Sequence, residues 1–142
     1  MNNAFVYVIE SPSNRDLLDG RTEGRLLTES LRLAEIPHWY SLASNLLMFR
    51  ESLGARLEEA SKFHNKLPIL HLSLHGSPEG VVLTSGESLT WDGLRKELMH
   101  LTRAMQGGLL VCMSSCFGSS GCRMAMYEDN EPHFWALVGN TA

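Results

Sequence analysis

Five short runs of apolar, β-forming residues recur along the chain, and longer stretches with helical spacing fall between most of them. The runs are Ala4–Ile9 (AFVYVI), His38–Leu42 (HWYSL), Leu67–Leu74 (LPILHLSL), Leu109–Ser114 (LLVCMS) and Phe134–Val138 (FWALV). They are continuous rather than alternating, the pattern of strands buried on both faces. After a polar loop (SPSNRDLLDGR), Thr22-Glu23-Gly24 opens a helical pattern carried by Leu27, Leu31 and Ala34 and stopped by Pro37. Leu46, Phe49, Leu53, Leu57 and Ala60 predict one amphipathic helix to about Phe63, capped by Ser44 or Asn45. Gly80–Leu89 predicts a β-hairpin turning at Ser85-Gly86. Thr90 then caps a helix from Trp91 to about Met105, ended by Gly107-Gly108, and a short helix from about Ser120 to Met126 precedes the last strand. The expected fold is α/β, a three-layer sandwich with a mainly parallel central sheet, in one domain over residues 1–142. The sequence stops directly after a buried-type strand, so truncation, cleavage or a partner chain completing the sheet is expected.

Composition excludes several classes. A formal charge of −4, a pI near 5.8 and no Lys/Arg run argue against nucleic acid and against a polybasic membrane anchor. The apolar runs fall far short of the ~20 residues that span a bilayer, and the N-terminus has no signal-peptide pattern, so a cytoplasmic protein is expected. Hydrophobic residues at 44% against 20% charged suffice for an ordinary core. Cys112, Cys116 and Cys122 are odd in number and confined to one segment, which does not make a disulfide framework.

In open α/β sheets, ligands bind beyond the carboxyl ends of the strands. His75-Gly76 follows the third run and Ser114-Ser115-Cys116-Phe117-Gly118 follows the fourth. On neighbouring strands ~4.8 Å apart, an imidazole and a thiol there can face one carbonyl. A nearby imidazole lowers a thiol's pKa and later protonates the leaving amine. The expected dyad is therefore His75 and Cys116, with the backbone N–H groups of Gly76 and Cys116 as an oxyanion hole. Ser115 is expected to line the cleft.

The ordered pair HLSLHG (71–76) and LLVCMSSCFGSSG (109–121) resembles the caspase/hemoglobinase-fold peptidases, including bacterial caspase-like and CHAT-type domains. The likeness extends to the opening strand, the loop DGRTEG (19–24) and GVVLTSGESLTWDGL (80–94). It implies a cysteine endopeptidase with the dyad on His75 and Cys116, no cofactor, and a protein substrate in the cell interior. In bacteria, similar domains act in defence or regulated cell death. The family's usual Gln-Ala-Cys run is replaced here by Ser114-Ser115-Cys116. Caspases hold the substrate's acidic side chain with an arginine from the loop after the first strand, and Arg15 and Arg21 occupy the comparable loop here.

Other chemistries fit less well. His71, His75 and the three cysteines supply zinc-type ligands, but their spacing is not that of a ribbon or finger, so no metal is expected. No Gly-x-Ser-x-Gly elbow marks a serine hydrolase. A non-catalytic scaffold docking partners through a sheet edge is the remaining alternative. Asp92 and Glu79 lie near the dyad in sequence, but neither is identified as a third member.

Overall fold

The computed structural model describes residues 3–115, 118–126, 134 and 136–139, except for the side chains of Ser119, Ala125 and Met126. Strand β1 (Ala4–Ser11) pairs in parallel with β2 (His38–Leu42) on one side and β3 (Leu67–Ser77) on the other. The end of β3 turns through Pro78-Glu79 into the antiparallel strands β4 (Gly80–Val82) and β5 (Ser88–Thr90). Strand β6 (Leu110–Ser114) runs parallel to β3, and β7 (Ala136–Gly139) runs parallel to β6. The described residues form one α/β fold with a mostly parallel seven-stranded sheet.

Strand alternation divides the sheet into two faces. Tyr7, Ile9, Leu70, Leu72, Val111 and Met113 point to one face and are buried there. Helices α3 (Leu46–Leu53), α4 (Ala55–His64) and α5 (Trp91–Ala104) cover them with Phe49, Leu53, Leu57, Leu94 and Leu98. Within this core the Tyr7 hydroxyl donates to the Ser52 carbonyl at 2.6 Å. Val8 and Glu10 point to the opposite face, where helix α2 (Glu23–Leu33) packs. Gly24 makes that contact: a Cβ there would lie 3.1 Å from both Val8 and Glu10. His71 and Cys112 are partners in register on the α2 side and are half-buried. Burial lowers the pKa of His71 and raises that of Cys112.

The sequence expectations need local corrections, three of which bear on the core and the site. Gly54 (φ −100°, ψ −110°) breaks the helix expected from Leu46 to Phe63 into α3 and α4. The apolar stripe cannot show this break, because both halves pack on the same sheet face. Asn45 is the cap, accepting from the Met48 N–H at 2.8 Å. The polar loop after β1 contains a helix, α1 (Asn14–Leu18), capped by Ser13. The third strand does not end before His75 but continues through His75 and Gly76, because β4 pairs with that segment. Thr90 caps α5 as expected, accepting from Gly93 N–H at 3.0 Å.

Gly80 allows the closest approach in the hairpin, since a Cβ there would lie 2.0 Å from the Leu89 carbonyl oxygen. Gly80→Ala must therefore spread β4 from β5, and we expect it to cost about 1–3 kcal/mol in chemical denaturation. Among the described residues, no helix is long and apolar enough to cross a membrane.

Candidate functional site

Two crossovers of opposite direction place the site. The chain steps from β1 to β2 on one side, and from β3 to β6 on the other. The gap between the ends of β1 and β3 is thus the topological switch point, where open α/β sheets bind ligands. An open cleft lies there, and the strands, the segment after β1 and the start of α2 line it.

The floor is one register row of polar residues, Glu10 on β1, Ser73 on β3 and Ser114 on β6. Glu10 is 2% exposed, yet its carboxylate is fully engaged. It accepts from the Gly24 N–H at 2.8 Å, the Arg25 N–H at 3.3 Å and the Tyr40 hydroxyl at 2.6 Å. A carboxylate at a helix N-terminus satisfies amides that have no partner within the helix. Burial and the adjoining Glu10 carboxylate push the Tyr40 pKa up. Glu23, in the first turn of α2, accepts a hydrogen bond from the Ser114 hydroxyl.

His75 lies two residues beyond Ser73 on the same face and lines the cleft with its side chain 49% exposed. Its Nε2 is 3.0 Å from Oδ2 of Asp16 on α1. Hydrogen bonding from Ser13 holds the Asp16 carboxyl below the ordinary carboxylate range, and His75 adds to that shift. The segment leading to Asp16 is tied to the β4–β5 connection. The Thr84 N–H donates to Ser11 Oγ at 2.9 Å, and the Thr84 hydroxyl donates to the Pro12 carbonyl at 2.5 Å. These bonds put the hairpin on the β1 side of β3, so the other edge of His75–Gly76 faces the side of β6. Ser77 and Gly80 close the two-residue turn. By ladder alternation Gly76 and Val81 are then a non-hydrogen-bonded pair, and the Gly76 N–H is turned away from β4. The Pro78 carbonyl accepts from Trp91 Nε1 and Arg123 Nη1, both at 2.9 Å, which ties this turn to α5 and to the 3-10 helix over Gly118–Met126.

The residues singled out from sequence separate as follows. His75 and Arg21 line the cleft, and Gly76 is adjacent to it in β3. Arg15 points away, 90% exposed and 3.9 Å from Asp19. Ser115 is 6% exposed, and its hydroxyl is buried with no hydrogen-bond partner among the described residues; the cleft residue is its neighbour Ser114. Cys116 lies outside the described residues, as does Phe117. Cys122 is exposed on the 3-10 helix. Among the described residues, no three His, Cys, Asp or Glu side chains are grouped to hold a metal ion. The acid against His75 is Asp16; Asp92 pairs with Arg95 and Lys96 on α5. The Ser13-x-x-Asp16 spacing, a helix-capping pattern, was the available sign that the loop before α2 is ordered.

Compared with known proteins, the chain matches no family model, no curated protein and no solved structure.

Proposed function

We propose that the chain is a caspase-like cysteine peptidase domain that cleaves protein substrates through Cys116 and His75. One observation carries this reading: an exposed, acid-paired imidazole lines a cleft at the switch point, beside the strand that leads into Cys116. Cys116 follows Ser114 by two residues, and Ser114 is in register with Ser73, two residues before His75. An imidazole in such a position serves as base for the thiol and then as acid for the leaving amine.

The chemistry proceeds in two stages. The Cys116 proton passes to His75, the thiolate sulfur attacks the scissile carbonyl carbon, and the oxyanion forms against the Gly76 and Cys116 N–H groups. The C–N bond breaks as the imidazolium returns its proton to the amine, leaving a thioester. Water then gives a proton to His75, its oxygen attacks the thioester carbonyl, and the acid product leaves with the thiol restored. Arg21 is the loop arginine on the cleft wall and contacts the substrate side chain in this reading. The setting is cytoplasmic, and a role in bacterial defence or regulated cell death follows from the family likeness.

Incubation with an unfolded protein substrate, followed by mapping of new N-termini, tests the reading. New termini should form with the wild-type protein and be absent with Cys116→Ala. Equal cleavage by both proteins would overturn the mechanism.

A further inference from the structure

We propose that Asp16 is the positioning residue of His75, and that Thr84 on the hairpin holds it in place. This rests on the Cys116–His75 reading above. An ionised carboxylate only accepts hydrogen bonds. Asp16 Oδ2, 3.0 Å from Nε2, therefore requires the proton on Nε2. That leaves Nδ1 of the neutral ring as the acceptor, and Nδ1 is the atom that takes the Cys116 proton and later returns it to the leaving amine. The sequence could not identify this third element, because Asp16 is 59 residues from His75.

Asp16 is built to stay ionised and fixed. It sits in the first turn of α1, where the helix dipole favours a negative charge. Ser13 Oγ accepts from the Asp16 N–H at 3.0 Å, and hydrogen bonds from Ser13 in turn stabilise the carboxylate. The second support comes from the hairpin. Val82 pairs with His75 in the antiparallel ladder. Two residues on, Thr84 bonds Ser11 Oγ and the Pro12 carbonyl, at the start of the segment that leads to Asp16. One hairpin thus grips both partners of the His75–Asp16 bond, and fixes their separation although both side chains face solvent. Glu10 and Glu23 line the same cleft but do not duplicate this role: Glu10 is engaged by α2 and Tyr40, and Glu23 by Ser114.

The experiment measures alkylation of Cys116 by limiting iodoacetamide near pH 6, mapped by mass spectrometry. The proteins are the wild type, His75→Ala, Asp16→Ala, Asp16→Glu and Thr84→Val. His75→Ala should slow alkylation at Cys116 on the order of tenfold or more, because the thiol loses its partner. Asp16→Ala should recover most of that slowing, Thr84→Val should fall between it and the wild type, and Asp16→Glu should restore part of the rate by returning a carboxylate. In peptide hydrolysis, Asp16→Ala should lower kcat on the order of ten- to hundredfold with KM within about twofold, since Asp16 acts through His75. If His75→Ala does not slow alkylation, the Cys116–His75 reading itself fails. If His75→Ala slows it and Asp16→Ala does not, the dyad stands and the role of Asp16 is overturned.

Discussion

His75→Ala should reduce peptide hydrolysis about a thousandfold or more while leaving the unfolding temperature nearly unchanged. The two effects separate because of where the residue sits. Its side chain is 49% exposed at the rim of the cleft, so its removal opens no cavity in the core. In the proposed mechanism, by contrast, the reaction loses the group that both takes the thiol proton and returns one to the leaving amine. Cys116→Ala should have an effect of the same size. The double variant should be no slower than either single one, because the two residues act as one unit. Multiplicative losses in the double variant would mean that they act separately. Steady-state hydrolysis of an unfolded protein substrate, with thermal unfolding of each variant, measures both effects.

Glu10→Ala carries the largest expected effect on stability, about 3–5 kcal/mol. The carboxylate is buried and accepts from two amides at the start of α2 and from the Tyr40 hydroxyl. Truncation strands all three donors, the Gly24 N–H in a buried setting and the Arg25 N–H and Tyr40 hydroxyl in part-buried ones. Glu10→Gln should cost less, because its carbonyl can still accept, while its NH2 group meets a donor. Urea unfolding of the three proteins should rank them wild type, Gln, Ala. A loss below about 1 kcal/mol for the alanine variant would show that water replaces the carboxylate. The same contacts set the start of α2, from which Glu23 reaches Ser114. Substitution at Glu10 should therefore also disturb the cleft.

The sheet was legible because its strands announce themselves. The run Ala4–Ile9 is apolar throughout, and His38–Leu42 is bounded by Pro37, so both appear close to where the sequence puts them. The polar ends of strands were harder to read. Glu10 and Ser11 continue β1 although neither looks like a core residue, because partners distant in sequence satisfy them: α2 and Tyr40 for Glu10, Thr84 for Ser11. The break at Gly54 was hidden for a different reason, since a single apolar stripe serves both helices on one sheet face. At the site, His75 was visible as a histidine at the end of a core strand. Its carboxylate partner was not, because Asp16 reaches it through a short helix in a stretch that reads as loop. Arg15 and Arg21 are equivalent in sequence terms, and the turn that follows α1 separates them: Arg21 faces the cleft while Arg15 stays in solvent beside Asp19.

The most direct test of the central claim is the ultraviolet absorbance of thiolate as a function of pH, compared among the wild type, His75→Ala and Cys116→Ser. If His75 activates Cys116, the wild-type protein will hold one thiolate well below the ordinary thiol pKa of about 8.5, and both variants will lose it. If every thiol of the wild-type protein titrates at or above that value, and neither substitution changes the curve, Cys116 is not an activated nucleophile and the peptidase account is contradicted.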